Sequence, residues 1–160
     1  MARRVAGWFS LLMILSLVGC DHATKAAAEV ALGASGPLSL VKGVLELSYV
    51  RNHDTAFSLT RAVDSPAKPF VLAGLALLGT LAIVAAAWRR RARASRIEQV
   101  ATALIVAGAA GNLLDRVRQG YVVDFIHVQY WPVFNVADVL IAAGGLLLAW
   151  SVARTSRVPA

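Results

Sequence analysis

Four long apolar runs dominate the chain. Val5–Gly19, Phe70–Trp88, Ile97–Leu114 and Phe134–Val152 are rich in Ala, Leu, Val and Ile, with polar or basic residues at their ends. Crossing a bilayer core takes roughly 17–25 residues of helix. The last three runs meet that length, and the first meets it if Ala23 and Ala26–Ala28 extend it. The pattern predicts spanning helices over about 5–24, 69–88, 97–115 and 134–153. One stretch has a different period. In "VLELSYV", Leu45, Leu47 and Tyr49 alternate with Glu46 and Ser48, as in a half-buried strand. "LSLV", ahead of Lys42-Gly43, supplies a hairpin partner. The expected fold class is an α-helical integral membrane protein with four transmembrane helices and a small extracytoplasmic (periplasmic) β-cradle. The cradle is expected at about 38–60, and the whole chain, 1–160, forms a single membrane domain.

Composition agrees with that pattern. Of 160 residues, 58% are hydrophobic, more than a soluble domain of this size can hide. A net charge of +7 would suit a nucleic-acid partner, but the arginines are placed otherwise. Arg3, Arg4, Arg89, Arg90, Arg91, Arg93, Arg96, Arg154 and Arg157 all fall on one side of the four predicted spans, opposed there only by Glu98. Short basic segments stay in the cytoplasm. Both termini and the 89–96 loop are therefore expected inside, with 21–68 and 116–133 outside and no nucleic-acid partner. The single cysteine excludes an intrachain disulfide, and His22, His53 and His127 lack metal-ligand spacing. No metal or cofactor is expected.

Acidic residues in or beside apolar segments are the candidates for chemistry, because each costs roughly 2.5–3.5 kcal/mol to insert. Asp115 and Arg116 end the third span, Asp138 lies just inside the fourth, and Asp124 sits in the apolar "YVVDFI". Asn112, Asp115 and Arg116 share a helix face by i, i+3, i+4 spacing, and so do Asn135 and Asp138. The structural alternatives are that Asp115 pairs with an arginine and that Asp138 caps the fourth helix, where Asn135 already offers a cap. Two carboxylates brought together share a proton, and such a pair activates water for attack on a peptide carbonyl. The titration then belongs to the pair.

The blocks "DHATK", "NHDTAFS", "GNLLDRVRQGYVVDF" and "FNVAD" occur in this order along the chain. In this the sequence resembles the lipoprotein signal peptidases, the type II signal peptidases of the bacterial inner membrane. The resemblance implies a four-helix bundle with an outer β-cradle and a mobile outer helix. It also implies an aspartic endopeptidase that cuts diacylglyceryl-modified prolipoproteins just before the lipidated cysteine. The family's catalytic aspartates match Asp124 and Asp138 here. Its other polar positions carry over as Asp21, Lys25, Asn52, Asn112, Asp115, Arg116 and Asn135. Of these, Asn112 and Arg116 are expected to hold substrate and brace the pair, and Asp115 to be a structural partner. A monomer in contact with membrane lipid is expected, with its active site near the outer leaflet boundary. One position departs from the family pattern: Asp54 stands where glycine is usual. Glycine suggests a positive φ or a close approach, a region aspartate tolerates better than most residues; its added negative charge near the acidic pair leads to the expectation that activity persists with altered pH dependence or substrate handling.

"LVGC", Leu17 to Cys20, looks like a lipobox in its own right, after Arg3, Arg4 and an apolar stretch. The competing account has Leu17 to Cys20 finishing the first span, with Cys20 packed as a small hydrophobe. Three rival classes remain open at this level. They are a lipid-anchored membrane protein processed at Cys20, a catalytically impaired relative that binds prolipoproteins, and a small transporter. A transporter would string its acids through the bundle, whereas these acids gather at one boundary.

Overall fold

The computed structural model describes residues 2–54, 65–90 and 92–155. Its order is α1 (Ala2–Leu32), β1 (Leu38–Val41), β2 (Leu45–Asn52), α2 (Lys68–Arg90), α3 (Arg96–Gln119), β3 (Val122–Val128) and α4 (Val136–Thr155). All four helices are long and apolar enough to cross a membrane. Even α4, the shortest at 20 residues, reaches about 30 Å, the thickness of the hydrocarbon core. Residues 55–60 of the expected cradle, and with them most of "NHDTAFS" and any outer helix in 55–64, lie outside the described residues.

The helices present their bulky side chains outward. Trp8, Phe9, Leu12, Phe70, Leu78, Trp88 and Leu146 are all exposed, which water would not tolerate as one belt but lipid tails do. Leu72 is the one buried residue of α2. The interior is built from small residues. Ala101, Ala107 and Ala137 are fully buried, and α3 and α4 touch through glycine. A Cβ on Gly144 would stand 2.6 Å from the Ala101 carbonyl oxygen. Close backbone approach replaces the hydrophobic drive that lipid removes.

Local signals set the helix ends. Ser95 and Glu98 form a reciprocal capping box at the start of α3, Glu98 N donating to Ser95 Oγ and Ser95 N to Glu98 Oε2. The lone acid of the arginine-rich side is thus a helix cap. Gly120, at φ 80°, closes the other end of α3.

Three expectations change. The first helix does not stop near residue 24 but runs on to Leu32. "KAAAEVAL" is made of strong helix formers, and the extension has a surface to cover. Ala28 and Leu32 pack with Phe125, against Leu47, Tyr49 and Ile126 of the sheet. The second is "YVVDFI", read from the sequence as an apolar stretch of the short outer connection, which forms β3. It completes an antiparallel sheet in the order β1-β2-β3, pairing Val50 with Asp124 and Asn52 with Val122. Cys20 also departs from expectation. It is exposed on the continuous helix α1 rather than packed inside the protein.

Candidate active site

The site forms where the sheet meets the ends of three helices. Asp124 is carried by β3 and Asp138 by the first turn of α4. Asn135 joins them. Its Nδ2 donates to Asp124 Oδ1 at 2.6 Å, and its backbone N–H donates to Asp138 Oδ2 at 3.2 Å. Asn135 Oδ1 accepts from Asp138 N at 3.0 Å, so Asn135 and Asp138 also make a reciprocal cap on α4. The capping alternative therefore holds alongside the pairing, each Asp138 oxygen having a different task. Oδ1 takes a bond from Asn112 Nδ2 at 2.8 Å. Asp124 Oδ2 takes one from Asn52 Nδ2 at 2.7 Å.

Behind this pair lies a buried cation. Lys25 Nζ meets Asp21 Oδ2 at 2.8 Å, Asp115 Oδ2 at 2.8 Å and Asn112 Oδ1 at 3.0 Å, one acceptor for each of its protons. Asp115 was weighed as an arginine's partner; its partner is this lysine, with the Val123 N–H at 3.3 Å on the same oxygen. Asp21 Oδ1 accepts from Ala137 N at 2.9 Å, an otherwise unfilled donor at the start of α4. Asp21, fully buried, thereby fastens α1 to α4. Asn112 Oδ1 also accepts from Asn135 Nδ2 at 3.1 Å, so the Asn112 amide is engaged by the protein itself.

Burial dominates the electrostatics of Asp124. Its carboxyl is pushed up to about 6, first by loss of water and further by the charge of Asp138, against the lowering effect of Asn52, Asn135 and Lys25. Arg116 sits beside the pair and donates to two main-chain carbonyls, Asn112 at 3.4 Å and Asp54 at 3.2 Å.

The structure brings Asp21, Lys25, Asn52, Asn112, Asp115, Arg116, Asp124, Asn135 and Asp138 into one connected network. Asp54 adjoins it without the left-handed backbone that glycine suggested. Among the described residues, Tyr130 is the non-glycine residue with positive φ. Sequence reasoning missed Lys68, which pairs with the Asp54 carboxylate. The readable signal was a lysine in the first turn of an apolar helix, the end the dipole disfavours for a cation. The histidines stand apart from one another: His53 lies against the Tyr121 ring at 5.2 Å, and His127 is 3.8 Å from Glu46. Among the described residues, no three His, Cys, Asp or Glu side chains are grouped to hold a metal.

Four long apolar helices, with two carboxylates bridged by Asn135 under a small sheet, define a multi-pass membrane protein with a buried polar site. Comparison with known proteins narrows this. The family model described as Signal peptidase (SPase) II matches residues 13–154. A lipoprotein signal peptidase of Syntrophomonas wolfei is 40% identical over 141 residues, 88% of each chain. One from Geobacter metallireducens is 38% identical over 153 residues, covering 93% of this chain and 92% of that one. A solved bacterial membrane enzyme superimposes with a TM-score of 0.80 at 25% identity, over 93% of this chain and 90% of that one. The chain belongs to the signal peptidase II family and is accordingly a membrane protease of bacterial type.

Proposed function

We propose that this protein removes the signal peptide of diacylglyceryl-modified prolipoproteins, cutting before the lipidated cysteine with Asp124 and Asp138 as its catalytic pair. The observation that carries this reading is the asparagine-bridged contact of the two carboxylates at the sheet end of the bundle. Nothing observed favours the lipid-anchored or transporter alternatives. The carboxylates gather at one end of the bundle, and the lipobox-like Leu17–Cys20 lies within a 31-residue helix rather than an extended segment.

The pair works with one proton between its two carboxylates. A water held there gives a proton to the ionised carboxylate as its oxygen attacks the scissile carbonyl carbon. The protonated carboxyl hydrogen-bonds the carbonyl oxygen and stabilises the charge that develops on it. The tetrahedral intermediate then collapses. The C–N bond breaks, the departing amine of the lipidated cysteine takes a proton from the pair, and the shared proton is restored. Asn52, Asn112 and Asn135 hold the carboxylates in place. Lys25, Asp21 and Asp115 hold the asparagines and helix ends. Arg116 keeps guanidinium N–H groups available for a substrate carbonyl.

The substrate enters laterally from the lipid, its signal helix lying against the bundle. The exposed apolar faces of α1, α2 and α4 support that route and contact with membrane lipid. The basic ends of the helices support cytoplasmic termini and an active site at the outer leaflet boundary. We take the working unit to be a monomer: one chain can supply both carboxylates and the described residues that brace them, Asn52, Asn112 and Asn135. The test is cleavage by purified protein of a prolipoprotein with and without its diacylglyceryl group, read by mass spectrometry. The expected product is the lipidated chain beginning at cysteine, from the modified substrate alone. Equal cleavage of both substrates, or a cut elsewhere, would remove the lipid-dependent reading.

A further inference from the structure

Asp54 and Lys68 stand outside the buried network but are tied to it. The Asp54 N–H donates to Asn52 Oδ1 at 2.8 Å, and Asn52 Nδ2 donates onward to Asp124 Oδ2 at 2.7 Å. The Asp54 carbonyl accepts from Arg116 Nη2 at 3.2 Å. The main chain of this one residue thus touches both a support of Asp124 and the guanidinium beside the pair. Its carboxylate pairs with Lys68 Nζ, and Lys68 is the first residue of α2. Only 18% of the Asp54 side chain and 15% of the Lys68 side chain are exposed, so water and salt screen this pair less than a surface one. Lys68 is also badly placed for its own helix, since a cation in the first turn opposes the helix dipole. A carboxylate partner offsets that cost. It also cancels the negative charge that Asp54 would otherwise bring toward two aspartates.

We propose that the Asp54–Lys68 ion pair is a positioning clasp for catalysis: it fixes the end of β2 against α2, and through the Asp54 main chain holds Asn52 on Asp124 and Arg116 beside the dyad. The proposal rests on Asp124 and Asp138 being the catalytic pair. Neither clasp residue is assigned a contact with substrate. Their contribution lies in the angle at which Asn52 meets Asp124, which a freely moving strand end would not keep.

The test uses the full chain in detergent with a diacylglyceryl-modified prolipoprotein. Lys68→Met and Asp54→Asn should each lower kcat by about three- to tenfold, with KM within about twofold of the parent. The double variant should be no slower than either single one, as expected for two residues acting through one contact. A merely structural pair would instead lower the melting temperature and leave kcat per folded molecule alone. The clasp is overturned by single variants with parental kcat, or by losses that multiply in the double variant. Asp124→Asn runs alongside. If it is inactive while the clasp variants match the parent, the clasp fails and the catalytic reading stands. If it cleaves at the parental rate, the catalytic reading itself fails.

Discussion

At the scale of single residues, the site is a matter of where protons and lone pairs go. Asp124 holds its proton to about pH 6, against 3.8 for an ordinary aspartate, because burial disfavours its charge. Between those two values the folded protein binds a proton that the unfolded chain has lost. This contribution to stability is complete below 3.8 and is lost as pH rises through about 6, for a total of about 3 kcal/mol. The same proton is the one the dyad needs. The alkaline limb of kcat/KM should therefore lie at about 6 or somewhat above. The limb of kcat should lie higher still, because bound substrate removes more water. A pH–rate series over both parameters checks this, and identical limbs for the two would contradict it. Spacing in the sequence was enough to place Asn112, Asp115 and Arg116 on one face and Asn135 with Asp138 on another. It could not show that Asp115 answers Lys25, because the two are brought together only by the packing of α1 on α3.

At the scale of elements, one buried ammonium joins α1 to α3, while its partner Asp21 reaches the start of α4. Such a cation is destructive to remove singly. Lys25→Met leaves Asp21 and Asp115 buried without their counter-charge and should cost about 3–5 kcal/mol. Adding Asp21→Asn and Asp115→Asn should recover a substantial part of that loss. Thermal unfolding in detergent measures both, and a Lys25→Met protein as stable as its parent would contradict the account. The spans themselves were legible from apolar run lengths, and the β1–β2 hairpin from its alternation. The third strand was not. "YVVDFI" is almost continuously apolar, so it lacks the alternation of a half-buried strand. It is short enough to read as a connection, and its pairing with β2 depends on partners distant in sequence, from Asn52 with Val122 to Leu45 with Val128. The outer end of α1 escaped for a related reason. "KAAAEVAL" is helical by propensity but not apolar enough to read as span, and what stabilises it is the sheet packed on Ala28 and Leu32.

At the scale of the whole molecule, the fold divides its tasks between its two ends. The far end carries Arg89, Arg90, Arg96 and Arg154 with the Ser95–Glu98 cap; the sheet end carries Asp124 and Asp138 with Arg116 beside them. If the basic end faces the cytoplasm, a fluorescent protein fused after the C-terminus should fluoresce, and alkaline phosphatase fused there should be inactive. The opposite pair of results would invert the proposed topology. Orientation and site were both suggested by the chain before its fold was known, because charge placement and polar residues in apolar segments are strong signals in a membrane protein. The asparagine bridge between the two aspartates was not, since it depends on β3 lying beside the start of α4. That bridge is the centre of the account, and the cleavage of a diacylglyceryl-modified prolipoprotein by Asp124→Asn and Asp138→Asn tests it most directly. Each variant should fold as the parent does and lose activity by about a thousandfold or more. Parental cleavage by either variant would contradict the assignment of the pair.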